Sequence, residues 1–426
     1  MTLFPGFSDQ ISLSEQIISE YYEHLQNYID SYLTIAIHFC NEIFTETEEI
    51  FDQSWKTDVD NIFNDESIFS CIIHDLNPIF LQSPSFKLFI ELSKTLALPN
   101  HNHITENIQV NNIPSLRSNI HINKACQVVQ FTDFLEKHYD LKTFKIIDFG
   151  AGKGYLSTFL AFDRQYIIIA AEASFLHAKA LFQRISKLSK NYPNQDRLNI
   201  AIGLISPETG ASDVVAGAFP WRDFEKQRIS TSGHEPHSPI QGECAAQFRK
   251  AEVQHDCLII GLHTCGDLAQ ICLNLASKRV KIATIGCCYG HITQKCFPAT
   301  EQGDQIVQHI SKNSKNNGRG MKMFDYFVPK VLFNYATGDF GIDLDGCKQM
   351  LEKFILRAKS DRKEEDLANQ IWKMKLHIII RLVFGKVFES FIIVDRLVAL
   401  RKRGVEAGIF AIINQFSPRG FGICTK

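Results

Sequence analysis

Apolar side chains recur at three- and four-residue steps through the N-terminal part of the chain, a pattern typical of amphipathic helices. Ser12 and Glu15 have the spacing of a capping box, with the apolar pattern starting at Ile17 just beyond it. The pattern continues to about residue 50 and returns around residues 86–98. We therefore predict an α-helical N-terminal region over residues 1–115, which ends in a polar linker rich in Asn, His and Pro.

From Phe144 onwards the pattern changes to short, continuously apolar runs that alternate with helical segments. Such runs predict parallel strands buried on both faces of an α/β sheet, and they cover residues 145–150, 166–172, 198–205, 257–263 and 281–287. Two further runs, 409–416 and 420–425, flank the turn Ser417-Pro418-Arg419-Gly420 and predict a closing antiparallel hairpin.

Three segments depart from this alternation. Residues 206–252 are rich in Gly, Ser, Pro, His and Gln and predict a loop insertion, while residues 290–375 predict a mainly helical insertion. Phe388–Arg403 predicts one more helix. The apolar stretch 376–400 is too interrupted by charge for a membrane span, so we expect a buried helix there; the interrupting residues are Arg381, Lys386, Glu389, Asp395 and Arg396.

Composition narrows the class of protein further. The chain has 426 residues, of which 45% are hydrophobic and 22% charged, which is typical of globular proteins with a real core. The formal net charge of −2 excludes a global polycation, so any contact with nucleic acid must be local. The chain is too long for a disulfide scaffold and begins without a secretory leader, so its twelve cysteines are expected to be reduced thiols in a cytoplasmic or nuclear protein.

A glycine-rich loop follows the first predicted strand. Asp148 ends that strand, Gly150, Gly152 and Gly154 follow, and a helix begins directly after them. A dinucleotide loop requires its third glycine three residues after the second, where this chain has Tyr155. Gly-x-Gly-x-Gly after an Asp at the strand end instead resembles motif I of the S-adenosylmethionine-dependent methyltransferases. Glu172, 22 residues after Gly150 at the end of the second strand, is the predicted partner of the ribose hydroxyls. The alternative is a glycine turn needed only for helix–sheet packing.

A second cluster follows the fourth and fifth strands, at the edge where ligands of open α/β sheets bind. The candidate catalytic residues there are His263, Cys265, Asp267, Cys287, Cys288 and Tyr289. His263 or Asp267 would accept a proton or position the acceptor, and Tyr289 would hold the substrate. Zinc requires ligand pairs at set spacing, which adjacent cysteines do not supply, so we expect no metal. Two alternatives remain for the cysteines: small buried apolar side chains, or a thiolate that attacks a pyrimidine ring.

With these motifs the chain resembles the methyltransferase-like protein 25 family, which includes ribosomal RNA adenine dimethylase domain-containing proteins. The resemblance rests on Asp148–Ser157, Gly261–Leu268, Gly286–Tyr289, Phe388–Leu397 and Ser417–Arg419. It implies a Rossmann-like methyltransferase domain over residues 116–426 with S-adenosylmethionine as the cofactor. The His-x-Cys-Gly and Cys-Cys signatures are also similar to those of a transfer RNA ribose methyltransferase group, which favours RNA as the substrate.

One departure from the family affects the segment before the glycine loop. The family carries a Lys-Lys-x-His-Glu-like run there, whereas this chain reads Asn123-Lys124-Ala125-Cys126-Gln127. Lys124 alone is carried over as a cofactor-binding residue.

These observations predict a methyltransferase that acts on RNA, on either ribose or base. The alternatives are an inactive scaffold that binds RNA or protein, and a protein methyltransferase. A basic loop around residues 311–322 is a candidate for phosphate contacts, with the alternative of an ordinary solvated surface; its cations are Lys312, Lys315, Arg319 and Lys322. We expect no membrane contact.

Overall fold

A computed structural model describes most of the predicted elements. The described residues are 3–4, 11, 13–42, 52–99, 113–116, 120, 122–188, 198–202, 256–287, 289, 292–293, 296–315, 344–358, 364–412 and 420–426. The predicted loop insertion 206–252, the turn residues 417–419 and the side chains of the predicted basic loop lie outside this description, as does Cys288.

A seven-stranded sheet forms the centre of the fold, with the order β3-β2-β1-β4-β5-β7-β6. The strands are β1 Lys145–Phe149, β2 Ile168–Glu172, β3 Leu198–Ile202, β4 Cys257–Cys265, β5 Val280–Cys287, β6 Ala407–Ala411 and β7 Phe421–Thr425. The first five pair in parallel, and β7 pairs with β5 in the antiparallel sense. This mixed α/β sheet confirms the predicted Rossmann-like fold class.

The parallel strands are apolar along their length because both faces of the sheet are covered. Most residues of β1, β2, β4 and β5 are buried, and the less buried residues of β4 lie near its carboxyl end. The helices that follow the strands or precede β1 are α5 Ile122–His138, α6 Tyr155–Thr158, α7 Phe175–Leu188 and α8 Leu268–Asn274. A π-helical turn, Phe159–Asp163, extends α6. This alternation of strand and helix brings the carboxyl ends of β1, β4 and β5 to one edge of the sheet.

The remaining helices are α1 Glu15–Glu42, α2 Lys56–Asn64, α3 Glu66–Ile73, α4 Pro84–Leu96, α9 Glu301–Lys315, α10 Leu344–Ala358 and α11 Glu364–Lys402. Helix α4 begins where the sequence favours it, because the Ser83 hydroxyl accepts a hydrogen bond at the N-terminus and Pro84 occupies the first turn.

Helix α11 joins the predicted buried helix 376–400 and the predicted helix Phe388–Arg403 into one element and begins earlier in the chain than either prediction. The observed helix has 39 residues and begins at Glu364. Burial explains the difference: the charged side chains that interrupt the apolar pattern are themselves inside the protein, with Arg381 4% and Asp395 0% exposed. Across the described residues, no helix combines the length and the apolar character that crossing a membrane requires.

The chain packs as two compact units. The first comprises Met1–His103, Tyr289–Ala399 and Gly408–Gly420, and the second comprises Ile104–Cys288, Leu400–Ala407 and Phe421–Lys426. The second unit contains the glycine loop and the ends of β1, β2, β4 and β5. The division at residue 115 suggested by the sequence stays a prediction.

Candidate functional site

The glycine loop takes a left-handed backbone at each of its three glycines. The φ angles are 71° at Gly150, 59° at Gly152 and 75° at Gly154. A Cβ atom on Gly154 would lie 2.0 Å from Cδ1 of Leu181, whereas one on Gly152 would meet nothing closer than 3.9 Å. Glycine at 154 is therefore required for packing against α7 as well as for its backbone conformation, while the space beside Gly152 stays open.

Glu172 supports this loop from the end of β2. One carboxylate oxygen, Oε2, accepts a hydrogen bond from the Gly152 N–H at 2.7 Å, and Oε1 accepts one from the Ser174 N–H at 2.7 Å. The side chain is 7% exposed. Each carboxylate oxygen has two lone pairs, so both oxygens retain acceptor capacity for the ribose hydroxyls that the sequence assigned to Glu172.

Asp148 lies at the end of β1 with its carboxyl group buried. It accepts a hydrogen bond of 2.5 Å from the Ser157 hydroxyl and is 2% exposed. Burial raises the pKa of Asp148 to about 7, and the nearby charge of Glu172 adds to the rise, while the hydrogen bond from Ser157 opposes it. A positive ligand beside this carboxyl would favour its ionised form. S-adenosylmethionine carries a sulfonium and an ammonium group, so the residues present fit this cofactor.

Cationic side chains flank the helix that follows the loop. Nζ of Lys124 lies 5.5 Å from the centre of the Tyr155 ring, and Cζ of Arg184 lies 4.2 Å from it. Lys124 is exposed, as is Lys153 within the loop itself. The structure therefore places Lys124 beside the glycine loop, where the resemblance assigned it a role in binding the cofactor.

His263 lies near the end of β4 in an unusual backbone conformation. Its φ angle is 67°, and the pairing of β4 with β5 shifts by one residue between Leu262 and Thr264. The Thr264 hydroxyl fixes this bulge through a hydrogen bond of 3.0 Å to the carbonyl oxygen of Ile285. Such bulges turn a side chain in a new direction and are common beside active sites.

Gln127 of α5 holds the imidazole of His263. Its Oε1 atom lies 2.8 Å from His263 Nε2, and Gln127 is 6% exposed. Gln127 was not among the predicted site residues, because the resembled family has Glu at this position. A glutamine keeps the same acceptor atom as a glutamate, and this shared chemistry was the available signal.

The cysteines of the cluster have unequal exposure. Cys265 ends β4 and is exposed, whereas Cys287 ends β5 and is 6% exposed. Their Sγ atoms lie 3.1 Å apart. Asp267, half-buried, directly precedes α8. The structure thus brings His263, Cys265, Asp267 and Cys287 to one sheet edge.

Tyr289 belongs to the first compact unit, whereas the other described candidates belong to the second. Its hydroxyl group donates a hydrogen bond of 3.1 Å to Glu389 Oε1, and both side chains are buried. The assignment of Tyr289 to substrate binding stays a prediction, as do the catalytic assignments of the other five residues. Among the described residues, no three His, Cys, Asp or Glu side chains gather as ligands for a metal ion.

Residues 123–295 match the family model of a methyltransferase domain. The chain is also similar to a solved structure, coclaurine N-methyltransferase bound to N-methylheliamine and SAH. That similarity has 10% sequence identity and a TM-score of 0.26 and covers 94% of this chain and 99% of the other. No curated protein sequence matches the chain.

The family match runs from α5 through the glycine loop and Glu172 to the residues beyond β5. The matched segment therefore includes the glycine loop and the carboxyl ends of β4 and β5, where the second cluster lies. The chain is an S-adenosylmethionine-dependent methyltransferase.

Proposed function

We propose that this methyltransferase acts on RNA, as a member of the methyltransferase-like protein 25 family, and that His263 accepts the proton that the methyl acceptor loses. The observation that carries this proposal is the hydrogen bond between Gln127 and His263, which holds an imidazole at the edge of the sheet where the glycine loop also lies. A held imidazole favours an acceptor that must lose a proton, such as a ribose hydroxyl or an exocyclic amine.

RNA as the acceptor is supported by two features. The segments that resemble the family include His263 and Cys265, and their signature is similar to that of the ribose methyltransferase group. Lys124 and Lys153 are exposed beside the glycine loop and supply local positive charge. Lysine side chains of this kind bind phosphate groups and position a nucleic acid without reading its sequence.

For methyl transfer the protein mainly has to orient the acceptor and remove the proton that the acceptor loses. S-adenosylmethionine supplies a methyl group that its sulfonium already activates. In this proposal the Gln127 Oε1 atom accepts the hydrogen on Nε2 of His263, and Nδ1 is the basic nitrogen. The neutral amide selects this tautomer without adding a negative charge that would favour the imidazolium form. Asp267 lies four residues after His263 and is proposed to position the acceptor.

Radiolabelled methyl transfer tests the RNA proposal directly. Purified protein, methyl-labelled S-adenosylmethionine and total RNA should give label that nuclease removes and protease does not. The variant His263→Ala should lose about a hundredfold or more of this activity, the usual contribution of a general base. The control His24→Ala changes an exposed histidine of α1 and should retain full activity. Label found only in protease-sensitive material would refute an RNA substrate, and no label in any fraction would favour a scaffold.

The role of Gln127 predicts a change in pH dependence. Gln127→Glu restores the residue of the family and places a carboxylate against His263 Nε2, which favours the charged imidazole. The acid limb of the pH–rate profile should therefore move to higher pH, by about one unit or more. Gln127→Leu should lower kcat at every pH because the ring is no longer held. The control Gln305→Glu adds the same charge at an exposed position of α9 and should leave the profile unchanged. An identical profile for Gln127→Glu and the wild type would exclude His263 as the base.

A further inference from the structure

Cys265 and Cys287 form a pair of thiols at the ends of two neighbouring strands. They are direct partners in the parallel register of β4 and β5, and their Sγ atoms lie 3.1 Å apart. Neither is part of a disulfide bond. The proposed methyl transfer through His263 uses neither of them.

The pairing satisfies the geometric requirement for a disulfide bond. Neighbouring strands lie about 4.8 Å apart, and disulfides form between residues whose Cα atoms are about 4.4–6.8 Å apart. The two Sγ atoms need to approach by about 1 Å to reach the bond length of about 2.05 Å. The Gly266 N–H donates a hydrogen bond of 3.1 Å to the Cys287 carbonyl oxygen, which keeps the two strand ends together while the side chains move.

The two thiols differ in their exposure to solvent, and this difference indicates which of them reacts first. Cys265 is exposed, so a dissolved oxidant can reach it, whereas Cys287 is 6% exposed and faces Cys265. Among the described cysteines, Cys71 is half-buried and the others are buried; these are Cys126, Cys257, Cys272, Cys296, Cys347 and Cys424. An accessible thiol next to a second, resolving thiol is the arrangement found in reversible redox sites.

We propose that Cys265 and Cys287 are a reversible modification site whose reaction partner is a low-molecular-weight disulfide such as oxidised glutathione. The Cys265 thiolate attacks one sulfur of oxidised glutathione, forms a mixed disulfide and releases one glutathione thiolate. The Cys287 thiolate then attacks the sulfur of Cys265, forms the Cys265–Cys287 bond and releases the second glutathione. The protein loses two electrons and two thiol protons, and oxidised glutathione is reduced to two glutathione molecules.

This site goes beyond the proposed function because its reaction involves neither RNA nor a methyl group. The disulfide would form within the segment that carries His263 and Asp267, each two residues from Cys265. The disulfide would therefore form at the same sheet edge as the glycine loop.

Peptide mapping of the full chain tests the proposal independently of methyl transfer. The folded protein is incubated with oxidised glutathione, its remaining thiols are alkylated, and the denatured chain is digested with trypsin. Lys278 and Lys281 lie between the two cysteines, so a Cys265–Cys287 bond joins two otherwise separate peptides. We expect this cross-linked pair in the wild type, and we expect dithiothreitol to remove it.

Single variants identify the two sulfur atoms. Cys265→Ser should abolish both the cross-link and the glutathione adduct, and Cys287→Ser should leave glutathione trapped on Cys265. Cys288→Ser is the matched control because it removes the other thiol on the same tryptic peptide and keeps Cys287. It should therefore cross-link as the wild type does.

A cross-link that persists in Cys287→Ser, or disappears in Cys288→Ser, would overturn the assignment. Wild-type protein that retains glutathione without a cross-link, or that stays unmodified, would overturn the proposal as well. Circular dichroism establishes that each variant is folded. Cys265→Ser changes an exposed side chain, so its result does not depend on repacking of the core.

Discussion

Alanine at position 154 is expected to destabilise this methyltransferase by about 2–5 kcal/mol. The left-handed backbone at Gly154 costs a residue with a Cβ atom about 1–2 kcal/mol. The new Cβ would lie 2.0 Å from Cδ1 of Leu181, which is fully buried on α7. Overpacking of this kind lowers the free energy of unfolding by about a further 1–3 kcal/mol. Chemical denaturation followed by circular dichroism measures the loss.

Gly404→Ala is the matched control for this variant. Gly404 also has a φ angle of 75°, but a Cβ atom there would meet nothing within 4 Å. Gly404→Ala should therefore lose only the cost of the backbone conformation, about 1–2 kcal/mol. The difference between the two variants isolates the contact with Leu181. Equal losses would show that the glycine loop and α7 move apart freely, and that packing does not require glycine at position 154.

Asp148→Asn should make the protein more stable relative to the wild type as the pH rises from 5 to 7. The folded-state pKa of Asp148 is about 7, above the usual 3.8, chiefly because the carboxyl group is buried. Between these two values the unfolded chain has lost this proton while the folded chain retains it. The stability of the wild type therefore falls with rising pH, by about 1.4 kcal/mol per unit. Asparagine cannot ionise and lacks this dependence.

Denaturation of both proteins at several pH values measures the effect. The stability of Asp148→Asn minus that of the wild type should rise by about 2–2.5 kcal/mol between pH 5 and pH 7, and it should level off above pH 7. Ser157→Ala removes the hydrogen bond that favours the ionised carboxylate, so it should extend the window to higher pH. A difference that is constant with pH would contradict a raised pKa for Asp148.

The same variant should weaken cofactor binding. Replacing an ionised carboxylate by a neutral amide removes a charge that favours a positively charged ligand, and such interactions are worth about 1.5–3 kcal/mol. Calorimetry with S-adenosylmethionine at pH 8 should therefore show a loss of about tenfold or more in affinity. If the variant is more stable without cofactor but binds the cofactor less tightly, the buried carboxylate of Asp148 lowers the stability of the fold and contributes to cofactor binding. Unchanged affinity would remove Asp148 from the cofactor site.

The parallel strands could be predicted because each is apolar on both faces. The sequence prediction and the structure agree at Lys145, Leu198 and Cys257 as strand starts. A buried helix was predicted over residues 376–400, but its start at Glu364 was not, and a local pattern cannot reveal that charges such as Arg381 and Glu389 are themselves buried.

For the candidate site, the spacing of Asp148, the three glycines and Glu172 predicted the loop and excluded a dinucleotide, and the resemblance to a methyltransferase motif implied the cofactor. The hydrogen bond from the Gly152 N–H to Glu172 follows from the pairing of β1 with β2 and has no signal in either segment alone. The left-handed conformation of His263 was also not predicted, because only a small share of histidines adopt it although histidine is enriched there among residues other than glycine.

The sequence by itself determined the alternation of strands and helices, the glycine loop and the residue types at the strand ends, since these depend on the local conformation of the backbone. Only the tertiary structure decided which of those residues meet. Gln127 and His263 are 136 residues apart in the chain, and Cys265 faces Cys287 from the neighbouring strand. Such contacts depend on strand order, register and the bulge in β4, which are decided by packing of the whole sheet and leave no periodic trace in either segment.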